Sequence, residues 1–159
     1  IVGTEIEVYH PDYVYAGRVD AVVVNKKGVV EVWDWKTGDM RGYNPVTRTY
    51  FKYDPTKFVK AGEQLAAYAY AFAALQGGEV PKVVCINPCV KTNTFETATR
   101  YVHTDYLFKG FLHKLEAWKH ENFNMLKNGF KRPGCTTVYY WPIDLILKDF
   151  YADFIERSK

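Results

Sequence analysis

Two acids and a lysine carry the residue types and spacing for chemistry: Asp20, then Asp34 and Lys36 within Trp33-Asp34-Trp35-Lys36-Thr37-Gly38. Between them, Asn25-Lys26-Lys27-Gly28 is a polar turn signal separating the apolar runs Val22–Val24 and Val29–Val32. The spacing therefore predicts a hairpin. Side chains two apart on a strand share a face, so Asp34 and Lys36 project together while Trp33 and Trp35 point the other way. Asp20 on the partner strand completes the group. Two carboxylates and an amine held in this way suit a hard divalent cation and the water it activates.

Taken alone, Asp-Trp-Lys is more simply a strand end with a surface ion pair. A second feature stands downstream, where Gln64-Leu65-Ala66-Ala67-Tyr68 lies in an apolar, Ala-rich helical stretch. Gln64 and Tyr68, at i and i+4, fall on one helix face. They read either as ordinary helix surface or as hydrogen-bonding groups aimed at a phosphate and at Lys36.

The ordered set of Gly17-Arg18-Val19-Asp20, Asp34-Trp35-Lys36-Thr37-Gly38 and Gln64-x-x-x-Tyr68 resembles the RecB-like branch of the PD-(D/E)xK nuclease superfamily. It is most similar to the mitochondrial genome maintenance exonuclease type and its phage and bacterial relatives. The resemblance covers about residues 4 to 76. It implies a restriction-endonuclease-like core and hydrolysis of DNA phosphodiesters with Mg2+ or Mn2+. Asp20, Asp34 and the backbone carbonyl of Trp35 would hold the metal, and Lys36 would position the attacking water. Gln64 and Tyr68 would orient Lys36 or the scissile phosphate, and Thr37 with Gly38 would shape the loop over it. A Glu-bearing strand precedes the Gly-x-x-Asp strand in such relatives, which puts Glu5 forward as a further ligand. Glu5 and Glu7 also read as solvated strand residues, and Arg18 as a phosphate contact or an exposed strand residue. Relatives usually carry an N-terminal helix that completes the metal site. This chain opens at Ile1 without an initiator Met and runs straight into an alternating stretch, so it is expected to be a piece of a longer polypeptide.

A length of 159 residues predicts a single domain with a sizeable core, and 48% hydrophobic with 25% charged residues is ordinary globular composition. Aromatic residues reach 17%, which serves either a core or a surface on which bases stack. A net charge of +3 permits a polyanionic partner without requiring one. Cys85, Cys89 and Cys135 make no disulfide framework; the odd count and Cys-x3-Cys spacing predict a reduced, intracellular protein, cytoplasmic or nucleoid-associated or virus-encoded. They also do not reproduce the four-cysteine iron–sulfur set of some RecB-like relatives. No apolar run approaches the roughly 18 residues of a membrane span. None of the four histidines shows a His-x3-His ligand spacing.

From Asp39 to Lys60 the chain reads as a polar and aromatic insertion, with Asn44-Pro45 as a turn and residues 47 to 53 as a return strand. Its interleaved Arg48, Tyr50, Lys52 and Tyr53 suit single-stranded nucleic acid. The expected architecture is α/β: a mixed central sheet with strands near 3–9, 15–24, 29–36, 82–87 and 94–102, flanked by helices over 61–76, 104–126 and from Pro142. The expected function is a metal-dependent deoxyribonuclease, an exonuclease acting on single strands or duplex ends. The alternatives are an inactive nuclease fold that binds DNA and a protein-interaction domain.

Overall fold

The computed structural model describes residues 1–38, 40–51, 54–86, 99–131, 133–134, 136 and 138–139. Contacts divide the chain into two compact units: Ile1–Pro11 with Tyr15–Phe111, and Asp12–Val14 with Leu112–Lys159. The first holds a five-stranded mixed sheet in the order β1-β2-β3-β6-β7. Its strands are β1 (Gly3–His10), β2 (Tyr15–Val24), β3 (Val30–Trp35), β6 (Lys82–Ile86) and β7 (Thr99–Tyr101). β3 and β6 run parallel and the other pairs antiparallel. A two-stranded hairpin, β4 (Gly42–Asn44) and β5 (Thr49–Phe51), leads into helix α1 (Pro55–Gln76). An α/β restriction-endonuclease-like fold is the result.

The β2–β3 turn forms as its residues dictate. Asn25 Oδ1 accepts from the Lys27 and Val29 amides, and Gly28 adopts φ 75°, which costs a glycine little. Helix α1 begins six residues earlier than expected, at Pro55 rather than Ala61. Asp54 caps it by accepting from the Thr56 and Lys57 amides, and Pro55 occupies the first turn, where its missing N–H costs nothing. The helix buries a small-residue stripe, Ala61, Leu65, Ala66, Ala69 and Gly62 among them. At Gly62 a Cβ would meet Tyr101 Cε1 at 2.5 Å, and the Tyr101 hydroxyl donates to the Phe58 carbonyl of α1 at 2.8 Å. Val19, Ala21, Val22, Val32, Val83 and Val84 are all but fully buried in the sheet.

The sheet's alternation slips once. The rungs Thr4↔Ala21 and Ile6↔Val19 flank a Glu5–Asp20 position with no rung, where Glu5 has φ 52°. A Cβ on Gly3 would meet Ile6 Cδ1 at 2.9 Å, so residues three apart lie on one side there. On β2, Gly17 faces Tyr68 of α1, while Val22 belongs to the row Val22–Val32–Val83–Tyr101, whose last member also faces α1. An odd separation of five puts both residues on the helix side through that slip.

In the second unit lie the end of α2 (Thr104–Glu121), α3 (Phe123–Asn128) and the short pair β8 (Phe130–Lys131) and β9 (Val138–Tyr139). The single helix expected over 104–126 is thus interrupted at Asn122, whose side-chain amide donates to the Trp118 carbonyl while its own amide also bonds there. Of the strand expected over 94–102, residues 99–101 are described and pair with β6. The helix expected from Pro142 lies outside the described residues, as do Lys52, Tyr53 and Cys89. Among the described residues, no helix is long and apolar enough to cross a membrane.

Candidate active site

The site forms where β3 ends against α1. Asp34 occupies the penultimate position of β3 and pairs with Cys85 of β6. Beyond the strand, the Lys36 amide donates to the Ile86 carbonyl at 2.8 Å, so the backbone is still held to β6 where the lysine side chain departs. Lys36 Nζ lies 2.6 Å from Asp34 Oδ2 and donates to Gln64 Oε1 at 2.7 Å. Gln64 Nε2 in turn donates to the Tyr68 hydroxyl at 2.7 Å. The i, i+4 pair on α1 is thus one relay, ending on the lysine of β3. Asp20 Oδ2 accepts from the Trp35 amide at 2.8 Å, which ties β2 to the same strand end.

Burial sets the electrostatics. Asp34 is 4% exposed, and that desolvation pushes its carboxyl above its ordinary value; Lys36 opposes the rise and neighbouring Asp20 adds to it. Lys36 compensates the charge of Asp34 Oδ2, while that buried oxygen is left without a hydrogen-bond partner. The Cys85 thiol, beside Asp34, is pushed up to about 11 by burial and by the Asp34 charge, against the pull of Lys36.

A second buried carboxylate supplies the contrast. Glu31, 1% exposed, accepts from Asn25 Nδ2 at 2.9 Å and Trp33 Nε1 at 2.8 Å, with Arg100 at 3.6 Å. Burial pushes this carboxyl up too, but the two hydrogen bonds and the Arg100 charge outweigh it and hold the group below its ordinary value. Glu31 is a satisfied structural acid. Asp34 is an unsatisfied one, and unsatisfied buried charges gather where function requires them.

That orphaned oxygen and its repelling neighbour are what a bound cation would relieve. Among the described residues, no three His, Cys, Asp or Glu side chains gather as a metal cluster. The donors on offer are therefore Asp20, Asp34 and main-chain carbonyls such as that of Trp35, all hard oxygens that fit Mg2+ or Mn2+. Glu5 is engaged elsewhere: its carboxylate pairs with Arg18 Nε at 2.8 Å, both side chains well exposed. The two stand beside Asp20 on the β1–β2 ladder and compensate each other.

The remaining expected residues fall around this centre. Trp33 and Trp35 turn away from Asp34 and meet edge-on at 6.1 Å. Thr37 is exposed in the loop after Lys36, and Arg48 and Tyr50 are exposed on the β4–β5 hairpin. Lys52 and Tyr53 lie outside the described residues. Two contacts around the site went unread in the sequence. Arg41 sits over the Tyr50 ring at 4.4 Å, signalled by no more than a basic residue near aromatics. Gly17 makes room for Tyr68, a need that a glycine three before Asp20 does not announce.

The mixed sheet thus presents two acids and a helix-braced lysine at one strand end. The family model of the PD-(D/E)XK nuclease superfamily matches residues 1–137, and the chain belongs to that superfamily. Its members are in general nucleases, typically using divalent metal ions, so the substrate class is nucleic acid. No curated protein matches the chain significantly.

Proposed function

We propose that the chain is a divalent-metal-dependent deoxyribonuclease of the RecB-like branch, working as an exonuclease on single strands or duplex ends within the cell. The observation that carries this reading is the position of Lys36 Nζ between Asp34 and the Gln64–Tyr68 relay. An ammonium has three N–H donors; one is committed to Gln64 while the charge faces Asp34, which leaves a donor for a water or a phosphoryl oxygen. Gln64 fixes the direction of the ammonium, because its own amide is held by Tyr68. The Lys36 charge offsets the negative charge carried by the phosphoryl oxygens as water adds to phosphorus and one ester P–O bond breaks, its electron pair leaving on the departing oxygen. Asp20 and Asp34 would hold Mg2+ or Mn2+ with the Trp35 carbonyl, and Glu5 would join them only by leaving Arg18. When bound, that cation supplies Lewis acidity, making the attacking water more acidic and neutralising phosphoryl oxygens. Arg18 and Thr37 stand close enough along the chain to touch flanking phosphates.

End-labelled single- and double-stranded DNA, digested with Mg2+ or Mn2+ and followed over time, tests this proposal. An exonuclease releases mononucleotides from the earliest points. Internal fragments at the outset would make it an endonuclease, and DNA binding without divalent-dependent cleavage would make it a non-catalytic member.

A further inference from the structure

The β4–β5 hairpin carries a surface that the hydrolytic chemistry does not use. Tyr43 and Tyr50 face each other across the two strands, centroids 5.1 Å apart and tilted by 53°, and the Arg41 guanidinium covers Tyr50 at 4.4 Å. These rings stay 51% and 57% exposed, unlike rings that serve a core. The prong is stiff at both ends. Asn44 Oδ1 accepts from the Val46 and Thr47 amides, and Thr47 and Thr49 hydroxyls bond at 2.7 Å. At the base, the Asp54 amide donates to the Met40 carbonyl at 2.9 Å. From Met40 to Lys52 the sequence holds Arg41, Arg48 and Lys52 and no acid.

The tethers fix where this surface can work. β4 begins six residues after Lys36, a reach of at most about 20 Å. β5 leads directly into the helix that carries Gln64. Rings and a guanidinium layered on a segment of one charge sign, within that tether of the proposed phosphodiester site, match an unpaired nucleobase and its phosphates. A duplex keeps its bases stacked internally and offers those rings nothing. Being pre-ordered, the stack loses little entropy when a base joins it.

We propose that Arg41, Tyr43 and Tyr50 form a stacking shelf that receives an unpaired base, so that the substrate entering the site is single-stranded DNA or the frayed end of a duplex. This rests on the nuclease reading above, but binding can be tested apart from turnover. Fluorescence anisotropy with labelled oligothymidylate and with a blunt duplex of equal length, both in EDTA, measures affinity with divalent-dependent cleavage stopped. Tyr50→Leu should weaken oligothymidylate binding about tenfold and leave duplex binding and the melting temperature essentially unchanged. Tyr50→Phe, which keeps the ring, should bind as the wild type does, and Arg41→Gln should show a loss of about threefold. Equal losses on both probes would overturn the proposal. So would normal oligothymidylate affinity in Tyr50→Leu, whether it melts normally or early, because the rings would then be hairpin scaffold. Failure of the nuclease reading would show separately, as absent cleavage by a wild type that still prefers the single strand.

Discussion

Gly17 of β2 leaves the space that the Tyr68 ring of α1 fills. A Cβ at position 17 would overlap Tyr68 Cε1 and stand 3.0 Å from Cδ1. Because the Tyr68 hydroxyl holds Gln64 and Gln64 holds Lys36, a missing methyl on the sheet sets the aim of the lysine. Gly17→Ala should therefore lower turnover about 10- to 100-fold, the scale of small misplacements at a reacting centre. Kinetics of Gly17→Ala, Tyr68→Ala and the double variant check the route. The double variant should be no slower than Tyr68→Ala, and additive losses would mean that Gly17 acts by another path.

Removing the lysine itself should cost more. Lys36→Ala loses the positioned cation, and turnover should fall at least ~100-fold while substrate affinity changes little. Single-turnover rates with saturating DNA separate the two effects. A variant that binds poorly but cleaves at the normal rate would assign Lys36 to docking.

The two buried carboxyls should respond to pH with opposite signs. Asp34 sits above its ordinary value of 3.8, so the native protein holds its proton more tightly than the unfolded chain does. Its destabilising effect is absent below 3.8 and grows as pH rises through the folded value. Metal-free Asp34→Asn should consequently melt higher than the wild type at neutral pH, with the gap closing in acid. Glu31 is held below its ordinary 4.5, so its contribution is present above 4.5 and is lost as pH falls through the lower folded value. Glu31→Gln should melt lower than the wild type at neutral pH, and that gap too should close in acid. Melting curves of the three proteins across pH, in EDTA, decide both signs.

Cys85 is 3% exposed and its thiol is pushed up to about 11, so it is neither accessible nor ionised near neutrality. Iodoacetamide at pH 8 should leave Cys85 unmodified in the folded protein and alkylate it after denaturation, as read by peptide mass mapping. Rapid labelling in the native state would show that β6 opens beside Asp34.

Much of the arrangement of the candidate site was legible in the sequence because it rests on short-range periodicity. Asp34 and Lys36 share a side by the two-residue repeat, and Gln64 and Tyr68 share a face by the four-residue repeat. The Asn25–Gly28 turn then brings Asp20 alongside. The Glu5–Asp20 slip was not legible: Glu5 at φ 52° has no glycine to mark it, and alternation assumes an unbroken pleat. Asp54-Pro55 was a readable helix start, yet the aromatic and basic residues around it drew the segment into the preceding insertion. The close approaches at Gly17 and Gly62 depend on which strand meets which helix turn, a tertiary fact with no local signature. The break at Asn122 is equally silent, because Leu115, Trp118 and Leu126 keep a helical rhythm across it.

Asp34 is the residue on which the proposed chemistry depends most, and Mn2+-dependent digestion of end-labelled DNA by wild type and Asp34→Ala tests it directly. Calorimetric titration of Mn2+ and circular dichroism on the same samples confirm occupancy and fold. The wild type should bind Mn2+ and cleave, and the folded Asp34→Ala protein should do neither. Cleavage retained in a correctly folded Asp34→Ala protein would contradict the assignment of this strand end as the active site.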